Sequence, residues 1–176
     1  MPLPPSLDAI DRALLEALQE DCKTPLNKLG ERVGLGAPAV LERLRKLEGA
    51  GVITGYHAAV DGKRLGLDIT AFVGVSINYP KDIGGFLERV ATRPEVLECH
   101  HVTGSHTLLL KVKTENTASL ERVISALREV EGVTRTETMV VLSTAAETAR
   151  VPLPAVAEDA APPSNKRRAP RIREAS

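Results

Sequence analysis

The sequence predicts an α+β fold in two parts, an N-terminal winged helix-turn-helix followed by a C-terminal ferredoxin-like βαββαβ domain. Three observations carry that reading. Residues Thr24 to Tyr56 contain two short helical periods, a glycine turn between them and a β-branched run after them, the order expected of a helix-turn-helix with an exit strand. From Ile69 to Leu142 the apolar pattern runs strand, helix, strand, strand, helix, strand. A chain of 176 residues with 43% hydrophobic content can bury one medium core or two small ones.

The first helix is expected to start near Asp8. Asp8 and Asp11 put negative charge at its N-terminus, where the helix dipole favours it, and Leu7, Ile10, Leu14 and Leu18 form its buried stripe. The second starts at Thr24-Pro25, because Thr can cap an orphan N–H and proline at the first helical position gives up no needed donor. Leu26, Leu29 and Val33 carry its period, and Gly34 turns the chain. In the third helix Val40, Leu44 and Leu47 fall on one stripe with Ala37 and Leu41 beside it. That leaves Pro38, Ala39, Glu42, Arg45 and Lys46 facing outward, with Arg43 at the flank. Gly49 and Gly51 close the helix, and Val52 to Val60 reads as a strand leaving the unit. Residues 1–60 are therefore the first domain, and the polar, glycine-punctuated run Asp61 to Asp68 is the linker.

Residues 69–143 form the second domain. Ile69 to Tyr79 is a strand, and Ile83, Phe86, Leu87 and Val90 make a short amphipathic helix. Val96 to Thr103 and His106 to Lys113 are two strands around the turn Gly104-Ser105, Leu120 to Val130 is a strongly periodic helix, and Val133 to Leu142 is the last strand. Leu87-Glu88-Arg89-Val90 and Leu120-Glu121-Arg122-Val123 hold the same place in the two halves, although such a tetrapeptide also recurs by chance in helices. Residues 144–176 are rich in Ala and Pro without apolar periodicity and are expected to be a disordered tail. Its Lys166, Arg167, Arg168, Arg171 and Arg173 either add nonspecific phosphate affinity or merely keep the tail soluble.

Charge and composition narrow the function. The two helices around Gly34 carry Lys23, Lys28, Arg32, Arg43, Arg45 and Lys46, an excess suited to phosphate contact. The plainer alternative is a solvated face in which Glu42 and Lys46 form an i,i+4 pair. With the turn geometry added, the reading favours double-stranded DNA, contacted by Lys23, Thr24, Lys28, Arg32, Gly36, Ala37, Pro38, Ala39, Glu42, Arg43, Arg45 and Lys46. Formal charge is balanced, with 23 basic and 23 acidic residues, so DNA contact must come from that local patch. Two Phe, two Tyr and no Trp leave almost no stacking platform for single strands. The apolar runs are too short to span a bilayer, and MPLPPSLDAID lacks the pattern of a signal peptide, so a cytoplasmic protein without a membrane partner is expected. Cys22 and Cys99 have the spacing of neither a disulfide framework nor a zinc knuckle.

Several ordered residues carry a family likeness: Leu7-Asp8 with Asp11, Leu35 with Val40, Arg43, Leu44, Leu47-Glu48 and Gly51-Val52-Ile53. The second domain adds Pro94-Glu95-Val96, Val102-Thr103-Gly104, Leu109-Leu110 and Gly132-Val133. From Leu7 to Leu142 the chain resembles the Lrp/AsnC, or feast/famine, family of bacterial and archaeal transcription regulators. The resemblance implies a sequence-reading dimer, usually assembled further into larger homo-oligomers. It also implies that the second domain mediates assembly and holds a small effector, mostly an amino acid, between subunits. Gly104, Ser105, His106 and Thr107 are the residues that would line that site. Two positions depart from the family pattern. A polar cap, often Ser, usually precedes the recognition helix, where this chain has Gly36-Ala37-Pro38-Ala39, so base reading would fall to Glu42, Arg43 and Lys46 and to DNA shape. The effector turn usually ends in Asp, where this chain has Thr107, so no side-chain carboxylate there can receive a ligand ammonium.

Rival readings remain at this stage. If Thr103 pairs with His106 across the turn, period-two alternation puts Cys99, His101 and His106 on one sheet face, a thiol and two imidazoles suited to a soft metal. No Ser-His-Asp order, phosphate-cradling glycine loop or carboxylate pair suggests an enzyme, and no cofactor is expected. An assembly module whose helix-turn-helix contacts protein is the third possibility.

Overall fold

The computed structural model describes residues 6–78 and 80–153. They form two compact units, residues 6–58 with 148–153, and residues 59–147.

The first unit is a three-helix cluster of α1 (Ala9–Glu20), α2 (Leu26–Val33) and α3 (Ala37–Gly49). Asp8 caps α1 through a reciprocal box: the Asp11 N–H donates to Asp8 Oδ1 at 2.7 Å and the Asp8 N–H to Asp11 Oδ2 at 3.4 Å. Leu14, Leu29 and Val40 are fully enclosed at the centre, with Leu15, Ala17, Leu44 and Leu47 around them. Leu15 and Ala17 widen the stripe that the sequence pattern placed on Leu7, Ile10, Leu14 and Leu18, of which only Leu14 is fully buried. The α2–α3 turn is held by Gly34, in the left-handed region at φ 69°, and by Gly30, whose carbonyl accepts the Leu35 N–H at 3.0 Å. Gly30 is buried so closely that a β-carbon there would lie 2.3 Å from the Leu35 carbonyl oxygen.

Two expectations in this unit need correction. Thr24 is not the cap of α2: Pro25 holds that position, and the Thr24 hydroxyl donates backward to the Asp21 carbonyl at 2.8 Å. The exit strand Val52 to Val60 does not form. The Val52 and Ile53 N–H groups both turn back to the Leu47 carbonyl, at 2.9 and 3.2 Å, and no described strand lies alongside the rest, so β propensity has no ladder to act on.

The second unit is one antiparallel sheet with two helices on one face. Its elements are β1 (Ile69–Ile77), α4 (Pro80–Ala91), β2 (Val96–His101), β3 (Leu108–Thr114), α5 (Thr117–Arg128) and β4 (Val133–Val140). The strand order β2-β3-β1-β4 is the ferredoxin-like arrangement expected, with β1 pairing β3 on one side and β4 on the other. Alternation puts Ala71, Val73 and Val75 of β1 and Leu108, Leu110 and Val112 of β3 against Phe86, Val90, Leu120, Val123, Leu127 and Val130. Burial at that face fixes the register, because a slip of one residue would turn every one of these side chains to solvent. A second capping box, Asn116 with Ser119, starts α5.

The strands end two residues short of the expected limits at Tyr79, Thr103 and Leu142, and β3 starts two residues later than His106. The expected linker is part of this unit: Lys63–Leu65 is a short 3-10 turn, and Asp61 Oδ1 accepts the Lys63 N–H at 3.0 Å. The tail reading is also corrected for residues 144–153. Glu147 pairs with Lys111, the Val151 N–H donates to Gln19 Oε1 at 2.7 Å, and Leu153 packs on the helical core. These apolar and hydrogen-bonding contacts are long-range, so local composition carries no sign of them. Lys166, Arg167, Arg168, Arg171 and Arg173 lie outside the described residues.

Candidate DNA interface and effector region

The outward face of α3 is built as the period predicts. Val40, Leu44 and Leu47 are buried, whereas Pro38, Glu42, Arg45 and Lys46 are exposed and Ala39 is half-buried. Gly36 precedes the helix in an extended conformation with no side-chain cap, so the first N–H groups of α3 meet no side-chain acceptor from this chain.

The six cations of this region fall into two groups. Lys28 pairs with Glu31 at 3.0 Å and Arg32 with Glu20 at 3.3 Å. Arg43 reaches across to α1, its Nη1 at 2.6 Å from Asp8 Oδ2 and 2.8 Å from Asp11 Oδ1. Asp11 has only 8% of its side chain exposed, so Arg43 neutralises a carboxylate that the core has taken from water. The Asp11 backbone N–H, and then the Arg43 guanidinium, hold the Asp8 carboxyl below its ordinary value. Lys23, Arg45 and Lys46 form no ion pair among the described residues, and neither does Glu42, so the i,i+4 pairing of Glu42 with Lys46 is not adopted. The signal for Arg43 lay in the spacing of Asp8 and Asp11, two acids one turn apart on a stripe otherwise apolar.

Below α3, Tyr56 donates to Glu48 Oε1 at 2.8 Å. Burial first, and then that carboxylate, push its phenol up to about 12.

The expected effector turn spans 102–107. The Val102 N–H donates to the Thr107 carbonyl at 3.1 Å, and His101 faces Leu108, so the register is the one that sets Thr103 opposite His106. The side chains do not follow it. Thr107 is used structurally: its N–H donates to the Val75 carbonyl at 2.9 Å and its Oγ1 accepts the Ile77 N–H at 3.1 Å, which staples the turn to β1. Gly104 sits at φ 118°, and Gly104 and Ser105 are exposed. The His106 ring lies over Gly74, so close that a β-carbon at Gly74 would meet its Cδ2 at 2.5 Å. Its Nε2 is 3.7 Å from Glu137 Oε2, and its Nδ1 is buried without a hydrogen-bond partner.

That position of His106 overturns the metal reading. Gly74 and Glu137 are register partners on the face opposite Val73 and Val75, whereas Cys99 packs toward the helical core, where burial raises its thiol. The loop after β2 therefore separates the ligands onto opposite faces. No group of three or more His, Cys, Asp or Glu is placed to hold a metal among the described residues.

Sequence reading missed a charged cluster on the open sheet face. Lys111 joins Glu98, at 3.3 Å, to Glu147, and His100 Nε2 lies 3.2 Å from Glu98. The carboxylate of Glu147 first, then Glu98, raise the Lys111 ammonium above its ordinary value. The alternation of Leu and Val with Lys111 and Lys113 along β3 was the available signal.

Comparison with known proteins divides the chain at the same place. The model of the AsnC-type helix-turn-helix domain matches residues 7–48, and that of the Lrp/AsnC ligand binding domain matches residues 70–151. The chain is 41% identical over 139 residues to the leucine-responsive regulatory protein of Rhizobium meliloti (strain 1021), spanning 77% of this chain and 89% of that protein. It is 33% identical over 147 residues to the HTH-type transcriptional regulator FL11 of Pyrococcus horikoshii, spanning 84% and 97%. Among solved structures it is similar to the transcriptional regulator NMB0573 of Neisseria meningitidis in complex with L-Met. There the TM-score is 0.79 at 31% identity, over 83% of this chain and 96% of that one.

Proposed function

The chain belongs to the Lrp/AsnC family of transcriptional regulators, which are not enzymes, and from that premise we infer that it reads specific double-stranded DNA through α3 as a homo-oligomer. Its activity answers to an amino acid or related small metabolite bound by the second domain between subunits. The observation that carries the DNA reading is the exposed face of α3, where Glu42, Arg45 and Lys46 are free of internal ion pairs while the opposite face is buried. Lys23 extends it. Arg45, Lys46 and Lys23 are the phosphate contacts in this reading, and Glu42 accepts from a cytosine amino group in the major groove. Lys28, Arg32 and Arg43 are supporting residues, since internal carboxylates already hold their charges.

One helix buries too little surface for strong specificity, whereas two related helices one DNA turn apart, about 34 Å, read a two-fold symmetric site. That argument makes self-association part of the function. The relative from Neisseria meningitidis solved with L-Met supports an amino acid as effector, with the exposed Gly104-Ser105 backbone and His106 lining the site. We place the protein in the cytoplasm with its DNA; no helix of the described residues is long and apolar enough to cross a membrane.

The test is the salt dependence of operator binding. Each phosphate contact adds roughly 0.9 to the log–log slope, so Arg45→Ala and Lys46→Ala should each flatten it by about that much in every chain engaged. Glu42→Ala should relax the selected consensus more than it changes affinity. Unchanged slopes for both arginine and lysine variants would remove α3 from the interface.

A further inference from the structure

The second unit holds a cleft of about 660 Å³ away from the 102–107 turn, lined by Asp68, Phe72, Leu97, Lys111, Lys113 and Glu147 among others. That volume falls within the range of small-molecule sites. Its floor is the sheet face opposite the helices, where Phe72 is the register partner of Lys111 and Thr70 that of Lys113. Its wall is the chain after β4, residues 141–147, held in place where Glu147 meets Lys111.

The charges in this cleft are unequally used. Lys111 is saturated by Glu98 and Glu147, with only 17% of its side chain exposed. Asp61 is engaged by Arg64 at 3.4 Å and by the Lys63 N–H. Lys113 is different. Its stem lies against Gly62, where a β-carbon would meet its Cε at 2.2 Å, so the side chain is positioned, yet its ammonium has no ion pair or hydrogen bond among the described residues. Asp68 lines the same cleft and is equally unpaired. Lys63 also lines it and is exposed. The apolar part is supplied by Phe72, by Leu97, which is 54% exposed, and by Val141.

A positioned cation, a free carboxylate and exposed apolar surface in one cleft are the complement of a zwitterion with an apolar side chain. We propose that this cleft is an amino-acid site separate from the 104–107 turn, Lys113 taking the ligand carboxylate, Asp68 its ammonium, and Phe72 and Leu97 its side chain. A simple monocarboxylate would leave Asp68 unmatched, and an amine would leave Lys113 unmatched. The turn lacks this pairing, since its Thr107 hydroxyl already accepts the Ile77 N–H and no side-chain carboxylate belongs to it. The site goes beyond the effector position of the proposed function and does not depend on it.

The experiment is calorimetric titration of the full chain with L-methionine, L-leucine and L-phenylalanine, followed by the N-acetyl and carboxamide derivatives of whichever binds best. Each derivative removes one charge and should bind at least tenfold more weakly. Lys113→Met keeps the stem over Gly62 and removes only the charge; it and Asp68→Asn should each weaken the amino acid at least tenfold, while His106→Ala leaves this binding intact. Unchanged melting temperature and unchanged ligand-free DNA affinity would show that both variants are folded. Binding lost in His106→Ala but kept in Lys113→Met and Asp68→Asn would overturn the assignment, as would no binding of any of the three amino acids to the unmodified chain. Neither outcome touches DNA recognition, which the salt slope tests separately.

Discussion

Replacing Gly30 by alanine should destabilise the helical unit although alanine is the better helix former. On propensity alone Gly30→Ala would gain about 1 kcal/mol. The structure opposes it, because the new β-carbon would lie 2.3 Å from the Leu35 carbonyl oxygen, about 0.7 Å inside the shortest contact that real β-carbons make. Neither atom can yield alone: the Leu35 N–H is bonded to the Gly30 carbonyl at 3.0 Å, so relief means moving the α2–α3 turn as a whole. Overpacking of this kind costs about 1–3 kcal/mol, and a weakened hydrogen bond adds about 1 kcal/mol. After the propensity gain, a net loss of about 1–3 kcal/mol is expected. Gly49→Ala is the control, since nothing lies within 4 Å of its β-carbon position and its φ is not positive. It should be neutral or gain up to about 1 kcal/mol. Urea denaturation followed by far-UV circular dichroism measures both, with operator affinity as a second readout because the same turn orients α3. If Gly30→Ala is as stable as Gly49→Ala, the close approach does not constrain the turn and the reasoning is wrong.

Three further outcomes follow from named contacts. Arg43→Ala leaves the buried Asp11 uncompensated and should cost about 2 kcal/mol, between the value of exposed pairs and that of buried ones, with a large part restored in Arg43→Ala/Asp11→Ala; additive losses in that double-mutant cycle would refute the coupling. Asp8 has its pKa lowered in the folded state, so its contribution is complete above the ordinary carboxylate value and vanishes as pH falls through the lowered one. Asp8→Asn should therefore flatten the acid limb of the stability curve, and an unchanged limb would contradict the assignment. Gly74→Ala forces the His106 ring away and should cost about 1–2 kcal/mol, much of it relieved when His106 is also alanine; no coupling in the denaturation cycle would mean that the ring moves freely. Ending the chain at Arg150 removes the Val151–Gln19 pair and Leu153, which should lower the melting temperature of the helical unit. Ending it at residue 153 should not, and comparing that shorter chain with the full one isolates what Lys166 to Arg173 add to DNA affinity.

The parts of the molecule written in local pattern were readable, and the parts written in long-range contact were not. The helix stripes, the βαββαβ order and the β3 alternation depend on spacing within one element, which burial of one face enforces. Asp8 and Asp11 were read as dipole partners, but their reciprocal cap and their pairing with Arg43 join positions more than thirty residues apart. The exit strand failed for a related reason. Val52 and Ile53 have β propensity, yet their N–H groups are closer to the Leu47 carbonyl than to any strand of this chain. His106 shows the same limit within a hairpin: register follows from turn length, but the direction of a side chain in the loop depends on what fills the space over Gly74, and a glycine there leaves room for the ring.

Charge counting gave the right region and too many contacts. Six cations surround the α2–α3 turn, but Lys28, Arg32 and Arg43 already face carboxylates, which leaves Lys23, Arg45 and Lys46 free to neutralise phosphate. At roughly 0.9 per contact, one chain then contributes a log–log salt slope of about 2.7, a modest share of the slopes of specific regulators. Base reading is thinner still, because Ala37, Pro38 and Ala39 occupy the first turn of α3 and carry no hydrogen-bonding side chains. Under the proposed reading, selectivity cannot come from α3 alone. A second chain doubles the phosphate contacts and adds a fixed spacing between two weak readers, and spacing is a quantity that a ligand in the second domain can alter without touching a base.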